Sequence, residues 1–194
     1  GQFGEVFLRI EPLPRGGGFE FVDAVKGGTI PGQFMPAVEK GVREVLATGA
    51  IAGYPVVDVK VLAHHGKHHS ADSKETAFVT AARKAFAAAI RAARPIVLEP
   101  IVHIEIGAPD AAMGDITGDL SAKRGQVNGT ANGAAGTMVV RGQVPMSELN
   151  GYQSRLNAMT SGQGRYSIAL SHYEAVPPTV QQQLIAAHQV HDED

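Results

Sequence analysis

Two segments of this 194-residue sequence hold the side chains best suited to contact a ligand. The first, residues 26–32, reads KGGTIPG, and the second, residues 64–73, reads HHGKHHSADS. A glycine pair before a helix can bring backbone N–H groups close to a phosphate. Imidazoles can stack on or hydrogen-bond to unpaired RNA bases, and a lysine adds positive charge. The two segments therefore predict a surface that contacts a polyanion, not a centre that makes or breaks bonds.

The histidines of the second segment also allow a metal hypothesis. Imidazole is a good ligand for zinc or copper, and four imidazoles lie close together at His64, His65, His68 and His69. Gly66 favours a loop, and no cysteine or paired carboxylate completes a ligand set. A histidine-loop metal protein stays open as an alternative, and so does a two-domain scaffold whose polar loops have no specific RNA partner.

Enzymatic chemistry finds less support in the residue pattern. Ser70 and Ser73 follow His69, but neighbours in a loop do not form an oriented triad. Asp115 and Asp119 are spaced as i and i+4, so a carboxylate pair is conceivable. We favour a simpler explanation for both residues: they are acids of the first helical turn, where a negative charge complements the helix dipole.

The first half of the chain alternates between strand and helix patterns that place both segments at one end. Alternating apolar residues predict strands over residues 3–11, 19–25 and 54–63, with the second paired back on the first. Helical spacing predicts helices over residues 34–49 and 72–94. Asp72 and Glu75 form a capping-box pattern. Each polar segment leaves a strand and opens a helix, so both are expected in one tip.

The second half predicts a βαββαβ order. Strands are expected over residues 101–106, 126–130, 137–144 and 165–173, with helices over 113–124 and 147–160. This order is typical of a ferredoxin-like sandwich with both helices on one face of an antiparallel sheet. A boundary is expected near residues 95–100, and a short helix is expected after the prolines at 177–178. The fold class is thus α+β, with two α/β-sandwich domains.

Charge and composition narrow the choice of partner. The net charge is −2, with 12 Lys and Arg against 9 Asp and Glu in residues 1–97 and 5 against 10 in residues 98–194. Any RNA contact should therefore be local and lie in the first half. The chain has no cysteine, no signal pattern and no apolar run of the ~18–20 residues that span a bilayer. It begins at Gly1 in strand-like sequence, which predicts a fragment of a longer protein.

Seven short strings, in order along nearly the whole chain, closely resemble bacterial elongation factor G. They are GQFG (1–4), KGGTIPG (26–32), PAV (36–38), AGYPVVD (52–58), LEPI (98–101), GDITGDL (114–120) and RG (124–125). The resemblance implies that residues 1–97 are a domain IV, with a fold shared with the second domain of a small-subunit ribosomal protein and tip loops at 27–32 and 66–73. Residues 98–175 would be a ferredoxin-like domain V, and residues 176–194 a helix that packs back on domain IV.

The same resemblance implies a function. In the family, the tip of domain IV enters the small-subunit decoding region during translocation of transfer RNA and messenger RNA, and domain V contacts the factor-binding centre of the large subunit. The parent would be a cytoplasmic, monomeric GTPase whose GTP and magnesium bind in N-terminal domains outside this fragment. The fragment itself is expected to be no enzyme and to hold no cofactor or metal, and no membrane contact is expected.

The resemblance also assigns the residues of the tip. The expected contacts to the ribosome and transfer RNA are Gly27, Gly28, Thr29, Ile30, Pro31, Gly32, Lys67, His68, His69, Ser70, Asp72 and Ser73. Three positions depart from the family pattern: His65 and His68 replace aromatic residues, and Ser70 replaces an acid. The loss of an acid at Ser70, beside Lys67, makes the tip more cationic, and the departures together are compatible with a second, specialised paralogue.

Overall fold

The computed structural model describes residues 3–71 and 73–193, with side chains described up to residue 189. The predicted α+β class is confirmed. Two compact units divide the chain: Gly1–Val97 with Pro178–Asp194, and Leu98–Pro177. The strands and helices of the first unit, in chain order, are β1 (Glu5–Pro12), β2 (Phe19–Asp23), α1 (Met35–Thr48), β3 (Val59–Lys67) and α2 (Glu75–Ala92).

The first unit contains a three-stranded sheet in the order β1-β3-β2. β3 is antiparallel to β1 and parallel to β2, so the predicted β1–β2 hairpin is wrong. The segment between β1 and β2 crosses the start of β3 and does not form a tight hairpin turn. The Asp58 carboxylate holds this segment by accepting the backbone N–H groups of Gly16 and Gly18 at 3.1 and 3.0 Å. Val61 and Ala63 of β3 are fully buried, which favours the central position for this strand.

The helices of the first unit close its core on one side of the sheet. Phe78 and Phe86 of α2 and Val38 and Val42 of α1 have no exposed surface. α1 ends at Gly49, whose left-handed backbone (φ 77°) donates its N–H to the Val45 carbonyl at 2.7 Å. This end agrees with the predicted one. Packing of their apolar faces on the core supplies most of the stability of the two helices.

The second unit has the predicted βαββαβ order. Its elements are β4 (Leu98–Pro109), α3 (Met113–Ala122), β5 (Gln126–Asn132), β6 (Thr137–Pro145), α4 (Tyr152–Thr160) and β7 (Arg165–Ala175). All three strand pairings are antiparallel, in the order β5-β6-β4-β7. Ile104 and Ile106 of the sheet pack with Ile116 and Leu120 of α3 in one core. This is the ferredoxin-like arrangement.

One helix of the second unit is shorter than predicted. The sequence predicts a helix over residues 147–160, but Met146–Leu149 form a separate 3-10 turn and α4 begins only at Tyr152. Asn150 is extended, and Gly151 is left-handed with φ 70°. A continuous α-helix cannot pass through this pair, because both residues lie outside helical geometry.

The last helix, α5 (Pro178–Glu193), groups with the first unit. The Gln181 side chain accepts the N–H of Val97 at 2.9 Å and donates to the carbonyl of Pro95 at 3.1 Å. Farther along, the His188 ring lies so close to Gly53 that a Cβ there would be 2.9 Å from Nδ1 of His188. Two contacts therefore hold α5 against the body of this unit.

Candidate nucleic-acid interface

The two tip loops, residues 27–32 and 66–73, lie against each other. β3 runs through Lys67, four residues beyond the predicted strand end, so Gly66 and Lys67 belong to the strand and not to a loop. The strand is longer because its end stays paired with β1, where Glu5 faces Lys67 and Val6 faces Gly66. His64 and His65 consequently also lie in β3.

An apolar contact joins the two loops. Ile30 is only 2% exposed, although it lies in a loop. Its side chain covers Gly66: a Cβ added there would lie 2.5 Å from Ile30 Cγ1 and 2.3 Å from the carbonyl oxygen of Glu5. Only a residue without a side chain fits at this position, so Gly66 allows the first loop to seat on the end of β3.

A polar contact joins them as well. Nδ1 of His68 lies 3.2 Å from the backbone carbonyl oxygen of Thr29. A carbonyl oxygen can only accept, so His68 carries its proton on Nδ1 and its Nε2 is an acceptor in the neutral ring. The buried hydroxyl Oγ1 of Thr29 has no hydrogen-bond partner among the described residues.

The second loop is closed by its own hydrogen bonds. The Ser73 hydroxyl accepts the N–H of His69 at 2.7 Å and donates to the carbonyl of Phe3 at 3.0 Å. The N–H of Ala71 is donated to Nδ1 of His69 at 3.3 Å. Since that nitrogen accepts, a neutral His69 carries its proton on Nε2. His68 and His69 are therefore held in opposite tautomers.

The backbone of the first loop depends on its glycines. Gly27 and Gly28 both have left-handed backbone, with φ 72° and 67°, which a residue with a side chain rarely adopts. Pro31 then leads into the 3-10 turn Gly32–Phe34 and on to α1. The glycine pair forms the sharp turn, and the proline restricts the exit into the helix.

A cleft of about 490 Å³ opens between the two loops. Its lining residues are Phe3, Thr29, His65, Gly66, Lys67, His68 and His69. The Lys67 ammonium supplies positive charge, and it is 3.8 Å from the Glu5 carboxylate, with both side chains well exposed to solvent. Such an exposed pair is weak, so Lys67 can exchange Glu5 for another anion at little cost.

Sequence reasoning missed two parts of this cleft. Phe3 lines the cleft, and its carbonyl accepts the hydrogen bond of the Ser73 hydroxyl. The only sequence feature that pointed to Phe3 was its place in the GQFG string. His65 reaches the cleft from β3, whose end was predicted too early. Ser70 is exposed at the turn of the second loop. Asp72, expected both in the tip and as a helix cap, lies outside the described residues.

The start of α2 differs from the expectation. The helix begins at Glu75, and Lys74, in extended conformation, occupies the N-cap position with no capping side chain from the part of the chain that is described. Ser73 directs its hydroxyl to the second loop and to Phe3. The predicted helix start at residue 72 is therefore wrong, because residues 73 and 74 close the loop.

The two acids of the second unit, Asp115 and Asp119, lie in different surroundings. Asp119 is 8% exposed, and its Oδ1 accepts from Lys123 Nζ at 3.0 Å and Arg155 Nε at 3.1 Å. The explanation of Asp119 as a first-turn acid is wrong, whereas Asp115 does lie in the first turn of α3.

Burial, and secondarily the charge of Asp119, raise the pKa of Tyr152 to about 12.

Neither a metal centre nor a membrane span is found in the described part of the chain. Among the described side chains, which end at residue 189 and leave out residue 72, no group of three or more His, Asp or Glu is placed to hold an ion. No described helix is both long and apolar enough to cross a bilayer.

The fold and the tip together define a two-unit α+β protein with a cleft between paired loops. The family model for elongation factor G, domain IV, matches residues 1–94, and the model for the elongation factor G C-terminus matches residues 96–184. An elongation factor G-like protein of Thermotoga maritima is 42% identical over 185 residues, which cover 95% of this chain and 27% of that protein. A crystal structure of a Thermus thermophilus protein superposes with a TM-score of 0.78 at 35% identity, over 97% of this chain and 28% of the other.

The chain belongs to the elongation factor G family. The resemblance noted in the sequence is thereby confirmed, and the chain is part of a family of translation elongation factors. The two family matches meet at residues 94–96, close to the boundary between the two units at Val97 and Leu98. It spans little more than a quarter of the length of the relatives it matches, 27% and 28%.

Proposed function

We propose that this chain is the ribosome-engaging part of a translation elongation factor. In this proposal the tip formed by residues 27–32 and 66–73 enters the decoding region of the small subunit. There it promotes the movement of transfer RNA and messenger RNA. The second unit contacts the factor-binding centre of the large subunit.

The observation that carries the proposal is the union of the two tip loops. Ile30 seats on Gly66, and His68 binds the Thr29 carbonyl at 3.2 Å, so the loops are held as one body. Behind them, α1 and α2 contact each other closely. A Cβ at Gly41 of α1 would lie 2.3 Å from the carbonyl oxygen of Val79 in α2. Tightly packed helices support a tip that must keep its shape when it displaces RNA.

The chemistry of the tip suits RNA better than catalysis. In its neutral form His68 offers an acceptor at Nε2. A ribose 2′-hydroxyl can donate a hydrogen bond to that nitrogen. Lys67 adds a charge that can form an ion pair with a phosphate. None of these groups has the nucleophile–base arrangement that acyl or phosphoryl transfer requires.

The chain performs no GTP hydrolysis in this proposal. GTP and magnesium bind in N-terminal domains of a parent protein, and the chain acts in the cytoplasm as part of a monomer. Its role is steric: it occupies a place on the ribosome and contacts RNA there.

A competition assay tests this function with the chain itself. The 194-residue chain is added to ribosomes that carry a fluorescent, intact elongation factor G, and displacement is followed as salt is raised. Weak displacement that fades with salt is expected, because contacts to phosphates release counterions. Lys67→Ala should weaken displacement by a few-fold and reduce the dependence on salt.

The matched control is Lys40→Ala. Lys40 is an exposed lysine of α1, outside the tip, so the variant removes the same charge elsewhere. It should displace the intact factor as well as the unchanged chain does. Failure of the chain to displace the factor at low salt, or equal effects of the two lysine variants, would overturn the tip assignment.

A further inference from the structure

Three ring side chains meet beside the tip cleft. Val6, Leu8 and Ile10 of β1 pack in or against the core of the first unit, so Phe7 lies on the opposite side of the strand, where it is 41% exposed. Its ring centroid lies 5.4 Å from that of His65 and 6.4 Å from that of His64. Both imidazoles are exposed as well.

A β-bulge explains how two consecutive histidines reach the same phenyl ring. In a regular strand, successive side chains point to opposite faces. Here Phe7 faces His65 while Leu8 faces Ala63, so His64 is an extra residue in β3. A bulge of this kind redirects a side chain and occurs often beside functional sites. It places both histidine rings against Phe7.

We propose that Phe7, His64 and His65 form a stacking platform for an unpaired RNA base. The platform adjoins the tip cleft, because His65 lines that cleft together with Lys67. The rings are tilted by 33° and 45° from the phenyl plane, so they leave exposed faces on which a base can lie. The inference rests on the proposed function, since the RNA that meets the tip supplies the base.

The chemistry favours a nucleobase over an apolar protein surface. Two of the three rings are imidazoles, which stack on bases and also hydrogen-bond to them. Lys67 lies two residues beyond His65 in β3. Its ammonium can therefore pair with a phosphate of the RNA whose base stacks on the platform. Stacking accepts any base, since every base has a π face. The platform is therefore expected to bind single-stranded RNA without sequence preference.

The test measures binding of the 194-residue chain to a labelled, single-stranded hexanucleotide by fluorescence anisotropy. Phe7→Leu keeps an apolar side chain but removes the ring, and it should weaken binding about tenfold, the effect of one lost stack. A second pair of variants tests the ring of His65. His65→Phe keeps a ring and should retain RNA affinity, whereas His65→Leu should weaken binding by about the same factor as Phe7→Leu. Tyr54→Leu changes another exposed ring of this unit and should have no effect.

Oligonucleotides with abasic positions separate stacking from charge. The unchanged chain should lose affinity as bases are removed, and Phe7→Leu should bind intact and fully abasic strands almost equally. Unchanged RNA affinity of Phe7→Leu, or no binding of the hexanucleotide by the unchanged chain, would overturn the platform. Thermal melting of each variant, expected to match the unchanged chain within a few degrees, verifies that the fold persists.

The ribosome competition assay distinguishes this inference from the proposed function. If displacement depends on Lys67 but Phe7→Leu does not change RNA affinity, the proposed function stands and the stacking platform is refuted. If RNA binding depends on Phe7 but the chain does not displace the intact factor, the stacking platform stands and the proposed function is refuted.

Discussion

One ion pair at the tip of the first unit and one in the second unit differ in how far they are buried. At the tip of the first unit, the Lys67–Glu5 pair spans 3.8 Å, with side chains 63% and 41% exposed. In the second unit the Asp119 side chain is 6% exposed and receives two cationic donors within 3.1 Å. Exposed pairs contribute little to stability but can exchange partners, whereas broken buried pairs are costly. Lys67 and Glu5 thus stay exposed at the tip of the first unit, whereas Asp119 holds two cationic side chains of the second unit in place.

A second buried ion pair supports this difference. Arg124 has left-handed backbone (φ 60°) and donates two hydrogen bonds to the buried Glu99 carboxylate, at 2.6 and 3.1 Å. It also donates to Glu148 at 3.1 Å. The hydrogen bonds from Arg124 to Glu99 and Glu148 raise the pKa of its guanidinium. This bidentate geometry fixes the segment between α3 and β5.

The largest expected effect comes from breaking the buried pair of the second unit. Asp119→Ala leaves the mostly buried Lys123 and the more exposed Arg155 without their shared carboxylate and should lower the free energy of unfolding by about 2–4 kcal/mol. Denaturant unfolding measures the loss. Asp115→Ala, in the exposed first turn of the same helix, should cost less than about 1 kcal/mol. Equal losses would contradict a structural role peculiar to Asp119.

A smaller effect is expected where the two tip loops meet. Gly66→Ala places a Cβ 2.3 Å from the Glu5 carbonyl oxygen and 2.5 Å from Ile30, so it should destabilise the chain by about 2–3 kcal/mol. It should also separate the loops, which a change in the ring resonances of His68 would report, because this ring binds the Thr29 carbonyl. Gly32→Ala is the control, since its Cβ meets no described atom within 4 Å. A Gly66→Ala chain as stable as Gly32→Ala would contradict the seating of Ile30.

The smallest effect appears only at alkaline pH. The pKa of Tyr152 is raised to about 12 in the folded chain, from its ordinary value of 10.0. The unfolded chain loses this proton first, so stability falls as pH rises from about 10 to 12, by about 2 kcal/mol at pH 12. Tyr152→Phe should remove that part of the alkaline loss in urea unfolding between about pH 9 and 12. Parallel curves for the two chains would contradict the burial of the neutral phenol.

The fold was largely predictable where local pattern and tertiary structure agree. In the second unit the spacing of apolar residues gave all four strands and both helices, because each amphipathic face lies on one core. In the first unit the pairing of β2 was not predictable. The Asp58 carboxylate holds the preceding turn across β3, and this contact lies 40 residues from Gly18 in sequence.

The meeting of the two tip loops was predictable, but the details of the cleft between them were not. The KGGTIPG string and the histidines gave both loops, and the position of Phe3 depended on resemblance alone. The bulge at His64 could not be predicted, since a register shift depends on the partner strand and leaves no signal in the residues themselves. Asp119 was misread because one of its two cationic partners, Arg155, comes from α4, 36 residues away in the sequence.

The central claim is that the tip acts by contacting RNA during translocation. Rapid kinetics with the full-length factor that carries these residues test it most directly, with His69→Ala in the tip and His103→Ala, an exposed histidine of β4, as the control. The account predicts that His69→Ala slows translocation at least several-fold while GTP hydrolysis and the control variant stay unchanged. Translocation at the unchanged rate in His69→Ala would contradict it.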